Sequence, residues 1–409
     1  MITVRPIRRA LVPNDSKAAS RVSGPNYDEF QSDREVWDLI VDEPHNVLRI
    51  TMPHCDSPDP NAFLKEGSAE ALERAGENLA KLRESGPVRE VENSMWVYSI
   101  EKDGKAQTGL GCMALTGEIR TEATPEGTIV RNEGIREPKA KGRADLIEAT
   151  QTFIGCVNNT VEDVSGRFAS ALAEVTDARP CDYEVVDEAG STHRVWLVTD
   201  RETTDGFQSV LAAEPYAYVA DGNHRSAAAA MLGHQEFLNV IFPIEQMGIA
   251  PYNRLVKTDV SANDIKSRIT ERFDVDPIEG VGYEPDAVHD IGLLCDGQWF
   301  RLRPKTGTFD PTNAAEDIDA DIVQRHLFAG VLGIEDPKDD RLNFVGGNKP
   351  VSYLEERVAG GEYELAVTLA PVTKDQFMDV CRQNRFMPPK STWFDPKVRS
   401  GLVIALLAE

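Results

Sequence analysis

The chain has 409 residues, 41% of them hydrophobic and 27% charged, an ordinary globular composition with room for two or three domains. Its formal net charge of −24 opposes broad nucleic-acid binding, which needs a basic footprint, and opposes docking on anionic membranes. An acidic chain that handles phosphates must gather its basic residues locally, so short basic clusters carry weight.

In chain order, Met1-Ile-Thr-Val-Arg-Pro lacks the apolar run of a signal peptide. No stretch reaches the ~18 apolar residues of a membrane span. Asn26-Tyr27-Asp28 and His45-Asn46 read either as turns stabilised by Asn and Asp or as cleft-lining groups. A helix is predicted from Ala69 to Glu84, with Leu72, Ala75, Leu79 and Leu82 on one face, Ser68 as cap and Gly86-Pro87 as stop. Trp96 to Ile100 and Gly109 to Leu115 form a hairpin around Asp103-Gly104. The apolar pair Ile129-Val130 leads into Arg131-Asn132-Glu133-Gly134, where a carboxylate at a strand end suits a general base and a solvated loop is the plainer reading. A helix follows over Arg143 to Phe153, then strands over His193 to Thr199 and Phe237 to Phe242, then a helix over Asn263 to Arg272 behind Ser261. Stretches near 183–192, 277–288 and 303–320 read as surface loops, Gly346 to Lys349 as a hairpin turn, and Gly401 to Leu407 as a buried strand. No repeat occurs, and strands and helices alternate without a regular βαβ series, so the expected class is α+β.

Six scattered cysteines with no Cys-x-x-Cys pair argue against disulfides and a structural zinc site, and fit a reducing cytoplasm. The seven histidines are widely spaced, which argues against a dedicated histidine metal site.

Tyr218 to Ala230 reads Tyr-Val-Ala-Asp-Gly-Asn-His-Arg-Ser-Ala-Ala-Ala-Ala. A strand runs into Asp221-Gly222 and an alanine-rich helix begins, so a carboxylate, an imidazole and a guanidinium sit within five residues at a helix N-terminus. Such a corner suits a phosphate or carboxylate, because backbone N–H groups and the helix dipole both favour an anion. Gly222 permits positive φ or a close ligand approach. The structural alternative makes Asp221 an N-cap, Arg225 the partner of a surface acid and His224 a satisfied core histidine. A second cluster, Met387-Pro-Pro-Lys-Ser-Thr-Trp-Phe-Asp-Pro-Lys397, offers the ammonium of Lys390 and the hydroxyls of Ser391 and Thr392, with Trp393 and Phe394 suited to a core. Walker, Rossmann, zincin and nucleophile-elbow motifs are all missing.

The unit strand–Asp221-Gly-Asn-His-Arg225–helix resembles the nucleotide-binding corner of the ParB/sulfiredoxin-like superfamily. Gly24-Pro-Asn-Tyr-Asp28, Pro44-His-Asn-Val-Leu-Arg49, Val130-Arg-Asn-Glu133, Pro251-Tyr-Asn-Arg-Leu-Val256 and Met387-Pro-Pro-Lys-Ser-Thr392, in this order, are similar to free serine kinases and their long prokaryotic relatives known as a domain of unknown function. The resemblance implies an α+β fold with a ParB/sulfiredoxin-like core and additional N-terminal and inserted α/β segments. Residues 1–109 form an accessory region, 110–260 the core with Glu133 and Asp221 to Arg225, and 261–409 a C-terminal region whose Lys390 loop folds back on the core. It implies transfer of a phosphoryl group from ATP or ADP, with Mg²⁺, to the hydroxyl of free L-serine. Glu133 and His224 are then catalytic, with Glu133 the general base. Asp221, Gly222, Asn223, His224 and Arg225 hold phosphates, and Asn132, Lys390, Ser391 and Thr392 bind substrate. Two departures matter: the family pattern has His where this chain has Asn132 and Asn223, and an amide carries neither proton nor positive charge. Position 223 also lacks the cysteine that a sulfiredoxin needs. The alternatives are a non-catalytic nucleotide or phosphoserine sensor and a kinase for another small hydroxy compound. Partners are small molecules, with neither nucleic acid nor membrane.

Overall fold

The computed structural model describes residues 1–407, and the chain divides into two compact units. The first comprises 1–131, 135–247 and 396 onward; the second comprises 132–134 and 248–395. The class is α+β, as expected: long antiparallel stretches dominate, with helices inserted between them.

The first unit is built on a 12-stranded mixed sheet. Its longest ladder is the hairpin of Val88–Lys102 and Lys105–Leu115, where Asp103 (φ 52°) and Gly104 (φ 72°) take the paired left-handed conformations that close a two-residue turn. On the side of Lys105–Leu115, Glu236–Pro243 pairs antiparallel, and Val157–Val161 pairs parallel to Glu236–Pro243. Ala217–Asp221 then runs antiparallel to Val157–Val161 and parallel to Ile129–Val130. At the far side the C-terminal strand Ile404–Leu406 lies between Ile7–Pro13 and Thr152–Phe153. The predicted helix Ala69–Glu84 forms over those bounds, because Ser68 Oγ accepts the Ala71 N–H at 3.3 Å and Ala75, Leu79 and Leu82 are buried.

Three expectations change. The helix set at Arg143 to Phe153 spans Glu137–Thr150: Pro138 occupies its first turn, where a missing N–H costs nothing, and Gln151 turns left-handed (φ 53°) before the short strand Thr152–Phe153. The supposed loop 183–192 contains the strand Tyr183–Val186, with Tyr183 and Val185 buried; four residues are too few for alternation to stand out. Gly346 to Lys349 is no hairpin turn, since the strand Leu342–Gly346 leads into the helix Val351–Ala359.

The second unit centres on a six-stranded antiparallel sheet in the order Phe273–Ile278, Gln298–Pro304, Ile291–Cys295, Leu365–Leu369, Tyr252–Val256 and Leu342–Gly346. One face carries Leu255, Leu294, Trp299, Val345 and Ala366 against Val351 and Leu354 of the helix Val351–Ala359. The helix Ala262–Ile269 is capped by Ser261, whose hydroxyl accepts the Asp264 N–H at 3.2 Å.

Gly111 is required by packing rather than by φ: it faces Trp96 across the ladder, and a Cβ there would lie 1.9 Å from the indole. Gly111→Ala should therefore lower stability by about 3 kcal/mol in urea denaturation, the upper range for overpacking a core. An unchanged midpoint would contradict this packing.

Candidate functional site

Strand Ala217–Asp221 is buried through Ala220 and delivers the chain to Gly222, which sits at φ 96°, ψ 25°. Glycine is needed there twice over. The backbone is left-handed, and a Cβ would lie 2.9 Å from Arg225 Nε and 3.1 Å from Val157 Cα. The helix Asn223–Met231 starts immediately, with Gly222 itself in the N-cap position and no side-chain cap. Asp221 is thus not the N-cap that its residue type suggests. Its carboxylate instead lies 3.4 Å from Arg225 Nη2 and 3.1 Å from Lys397 Nζ.

Arg225 does not meet a surface acid either. It is 8% exposed, and its Nη1 donates to Asn26 Oδ1 at 3.1 Å. Asn26 is fixed by donating to the Val398 carbonyl at 2.7 Å and by accepting the Ser400 hydroxyl at 2.7 Å. Burial works against the guanidinium charge, but Asp221, Asp28 and Tyr27 outweigh it and hold the pKa above the usual arginine value. Arg225 Nε is buried with no hydrogen-bond partner in the protein, as is Oδ1 of Asn158, the residue opposite Asp221 in the sheet. Unsatisfied buried polar atoms of this kind mark places where a ligand or water completes the bonding.

His224 is half-buried, and its Nε2 accepts the Arg136 backbone N–H at 3.0 Å. In that bond Nε2 is the acceptor. The corner is thereby latched to the start of the helix Glu137–Thr150. Beside it, a cavity of about 50 Å³, room for a few waters, is lined by Tyr27, Arg143, Phe153, Gly155, Arg225 and Phe237, among others. The Arg143 guanidinium stacks 3.9 Å from the Tyr27 ring centre, and burial raises the Tyr27 hydroxyl pKa.

Glu29 is a site residue that sequence reasoning missed. Its Oε1 accepts the Asn26 N–H at 2.7 Å in a capping box, and the Asn-x-x-Glu spacing was the available signal. Burial, opposed by Lys397 and reinforced by Asp28 and Asp221, pushes its carboxyl from the usual 4.5 up to about 8. Lys397 and Ser400 were missed as well, because Lys397 meets Asp221 across 176 residues and Ser400 meets Asn26 across 374, and such contacts leave no local pattern.

Asn132 and Glu133 belong to the second unit. Glu133 forms a parallel bridge with Met387, and the Met387 N–H donates to the Asn132 carbonyl at 2.9 Å. This places them beside the Lys390 loop, so two of the predicted segments come together within one unit. Lys390 has φ 58°, an uncommon conformation for a non-glycine residue. It is held there by Arg254 Nη2, which donates to its carbonyl at 3.1 Å, and its own ammonium donates to the Tyr252 hydroxyl at 3.1 Å. Arg254 is 2% exposed and also donates to the Tyr252 carbonyl; burial lowers its pKa to about 10. Ser391 is buried, with its hydroxyl donating to the Pro388 carbonyl at 2.8 Å, so that proton is committed inside the loop; Thr392 is half-buried. Trp393 and Phe394 are core residues, as expected, on the strand Trp393–Asp395 that pairs with Gly248–Ala250. Asp221, Gly222, Asn223, His224 and Arg225 are carried by the first unit.

The raised Glu29 pKa gives a pH test. A carboxyl whose folded pKa exceeds its unfolded one contributes stability that is complete below about 4.5 and is lost as pH rises through about 8. Wild-type stability should therefore lose this contribution between those values, and Glu29→Gln should flatten the loss when urea midpoints are compared. Parallel pH profiles for the two proteins would contradict a buried, neutral Glu29.

Comparison with solved structures finds a free serine kinase in complex with AMP at 12% identity, covering 68% of this chain and 90% of that one, with a TM-score of 0.39. A conserved hypothetical protein from Pyrococcus furiosus matches at 11% identity over 66% and 88% of the two chains, with a TM-score of 0.38. SbnI from Staphylococcus aureus, truncated at its C-terminus, matches at 12% over 68% and 85%, with a TM-score of 0.36. No curated protein matches the sequence. No helix among the described residues is long and apolar enough to cross a membrane. The family model described as "Protein of unknown function (DUF1015)" matches residues 4–327, and the chain belongs to that family.

Proposed function

We propose that the protein is a small-molecule kinase with a ParB-like core that transfers a phosphoryl group from ATP or ADP to the hydroxyl of free L-serine in the cytoplasm. The observation that carries this reading is the buried Arg225 guanidinium behind a left-handed Gly222 at a helix N-terminus, with one of its donors lacking a protein acceptor. Phosphoryl transfer asks chiefly for positioning and charge neutralisation around the phosphates, with one carboxylate for the nucleophile. In this reading Asp221, Gly222, Asn223, His224 and Arg225 hold the nucleotide phosphates. Glu133 accepts the serine hydroxyl proton, and the hydroxyl oxygen forms the new bond to phosphorus as the nucleoside phosphate leaves. Asn132, Lys390, Ser391 and Thr392 bind the amino acid. Mg²⁺ would screen the phosphate oxygens; it needs few protein ligands.

The Asn at 132 and 223 are neutral, so each can orient a neighbour but cannot supply a proton. His224 offers Nε2 as an acceptor to Arg136, which supports an orienting role rather than an acid's. The same bond favours a second reading, a nucleotide or phosphoserine sensor without turnover.

Incubation with L-serine, Mg²⁺ and either ATP or ADP, followed by phosphorus NMR, tests the first reading. O-Phosphoserine should form, and Glu133→Gln should cut its rate by roughly 10²–10⁴-fold, the usual contribution of a general base, with nucleotide affinity unchanged. Undiminished turnover in Glu133→Gln would remove Glu133 as the base. Nucleotide binding with no product from any small hydroxy compound would favour the sensor.

A further inference from the structure

We propose that Asp33, His54 and Cys55 form a binding site for a zinc-type divalent metal ion, built from none of the residues of the candidate phosphate corner. Asp33 is the first residue of the helix Asp33–Ile40, behind the cap Ser32. His54 and Cys55 end a short 3₁₀ turn, Pro53–Cys55, that follows the helix Leu48–Thr51. The chain thus brings three different donor types together from two places about twenty residues apart.

The three donor atoms are close enough together to share one metal ion. One oxygen of Asp33, one ring nitrogen of His54 and the Cys55 sulfur all lie within 4.8 Å of one another, and His54 Nε2 is 3.3 Å from Asp33 Oδ1. Bonds of about 2.0–2.3 Å at tetrahedral angles separate zinc ligands by roughly 3.3–3.7 Å. The His54–Asp33 pair already has that spacing, and both pairs with Cys55 lie within 4.8 Å. His54 is 4% exposed and Cys55 fully buried, so packing sets those two donors, while the Asp33 side chain is 49% exposed.

Thiolate, imidazole and carboxylate together select a borderline-soft ion; magnesium and calcium prefer all-oxygen shells. Binding replaces the Cys55 thiol proton, which passes to solvent. The surrounding segment gives such an ion something to stabilise. Val36, Ile40, Leu48, Met52 and Cys55 form a small apolar cluster there, with Tyr27, Phe30 and Leu39 packed against it, while Val47 and Ile50 join a neighbouring larger cluster. A metal that ties Asp33 to His54 and Cys55 closes that loop. The same segment begins with Asn26 and Glu29, so metal loading would also steady the partner of Arg225. Residue spacing concealed the site, because its ligands are one cysteine, one histidine and one aspartate rather than a repeated pair.

The full chain, stripped with chelator, should be titrated with Co²⁺ and then Zn²⁺. Wild type should develop the thiolate-to-cobalt absorption band, lose it on zinc addition, and retain about one zinc after dialysis. Cys55→Ser should lack the band. Because Cys55 is buried and its variant can fail to fold, Asp33→Asn is the second probe: it should keep the band and weaken zinc binding at least tenfold. Absence of the band in folded wild type, or equal zinc affinity in wild type and Asp33→Asn, would overturn the proposal.

Discussion

A single buried guanidinium organises the candidate phosphate corner. Taking a charged group out of water costs several kcal/mol unless it is paired and hydrogen-bonded, and breaking such a pair leaves that cost uncompensated. Arg225 is held by two segments far from each other in sequence: Asp221, four residues before it, and Asn26, which is itself held by Val398 and Ser400, while its Nε is left without a protein acceptor. Two glycines make the approach possible. A Cβ on Gly155 would press on the Arg225 side chain at 3.3 Å, and one on Gly222 would meet Nε at 2.9 Å. A side chain at 222 would displace the guanidinium, and one at 155 would shift it by a few tenths of an ångström.

Local charge balance at this corner is unlike that of the chain as a whole. The protein carries a net −24, yet Asp221 sits between two cations, Arg225 and Lys397. Glu29 is held largely uncharged near neutral pH by burial, which spares the corner one further negative charge. An anion arriving here meets a buried guanidinium and a helix N-terminus rather than the acidic surface. In the second unit the comparable device is conformational: Arg254 holds the Lys390 carbonyl while Lys390 adopts its left-handed backbone, so the loop bearing Ser391 and Thr392 has a fixed shape.

Local signals are legible in the sequence where they depend on neighbouring residues. The helix Ala69–Glu84 carries its own cap, apolar face and stop, and the Asp103-Gly104 turn announces its hairpin. The strand–Asp–Gly–helix unit was legible for the same reason. What the sequence did not disclose was closure over distance. Nothing near Asp221 points to Lys397, and nothing near Arg225 points to Asn26, because those pairings depend on how the sheet brings the chain ends together. The Asp221 carboxylate illustrates the limit: residue preference makes it a cap, but Gly222 takes the cap position and two cations take the carboxylate. Short strands such as Tyr183–Val186 also escaped, since tertiary pairing rather than periodicity defines them.

Residues 221–225 are proposed to hold a phosphate-bearing ligand. Hydrogen–deuterium exchange of the full chain with and without saturating ADP addresses it most directly. Nucleotide-dependent protection is expected in the peptides covering Val219 to Met231, matched by protection around Asn26 to Glu29, with both effects diminished in Arg225→Lys. Saturable nucleotide binding that protects other segments and leaves these unchanged would contradict it.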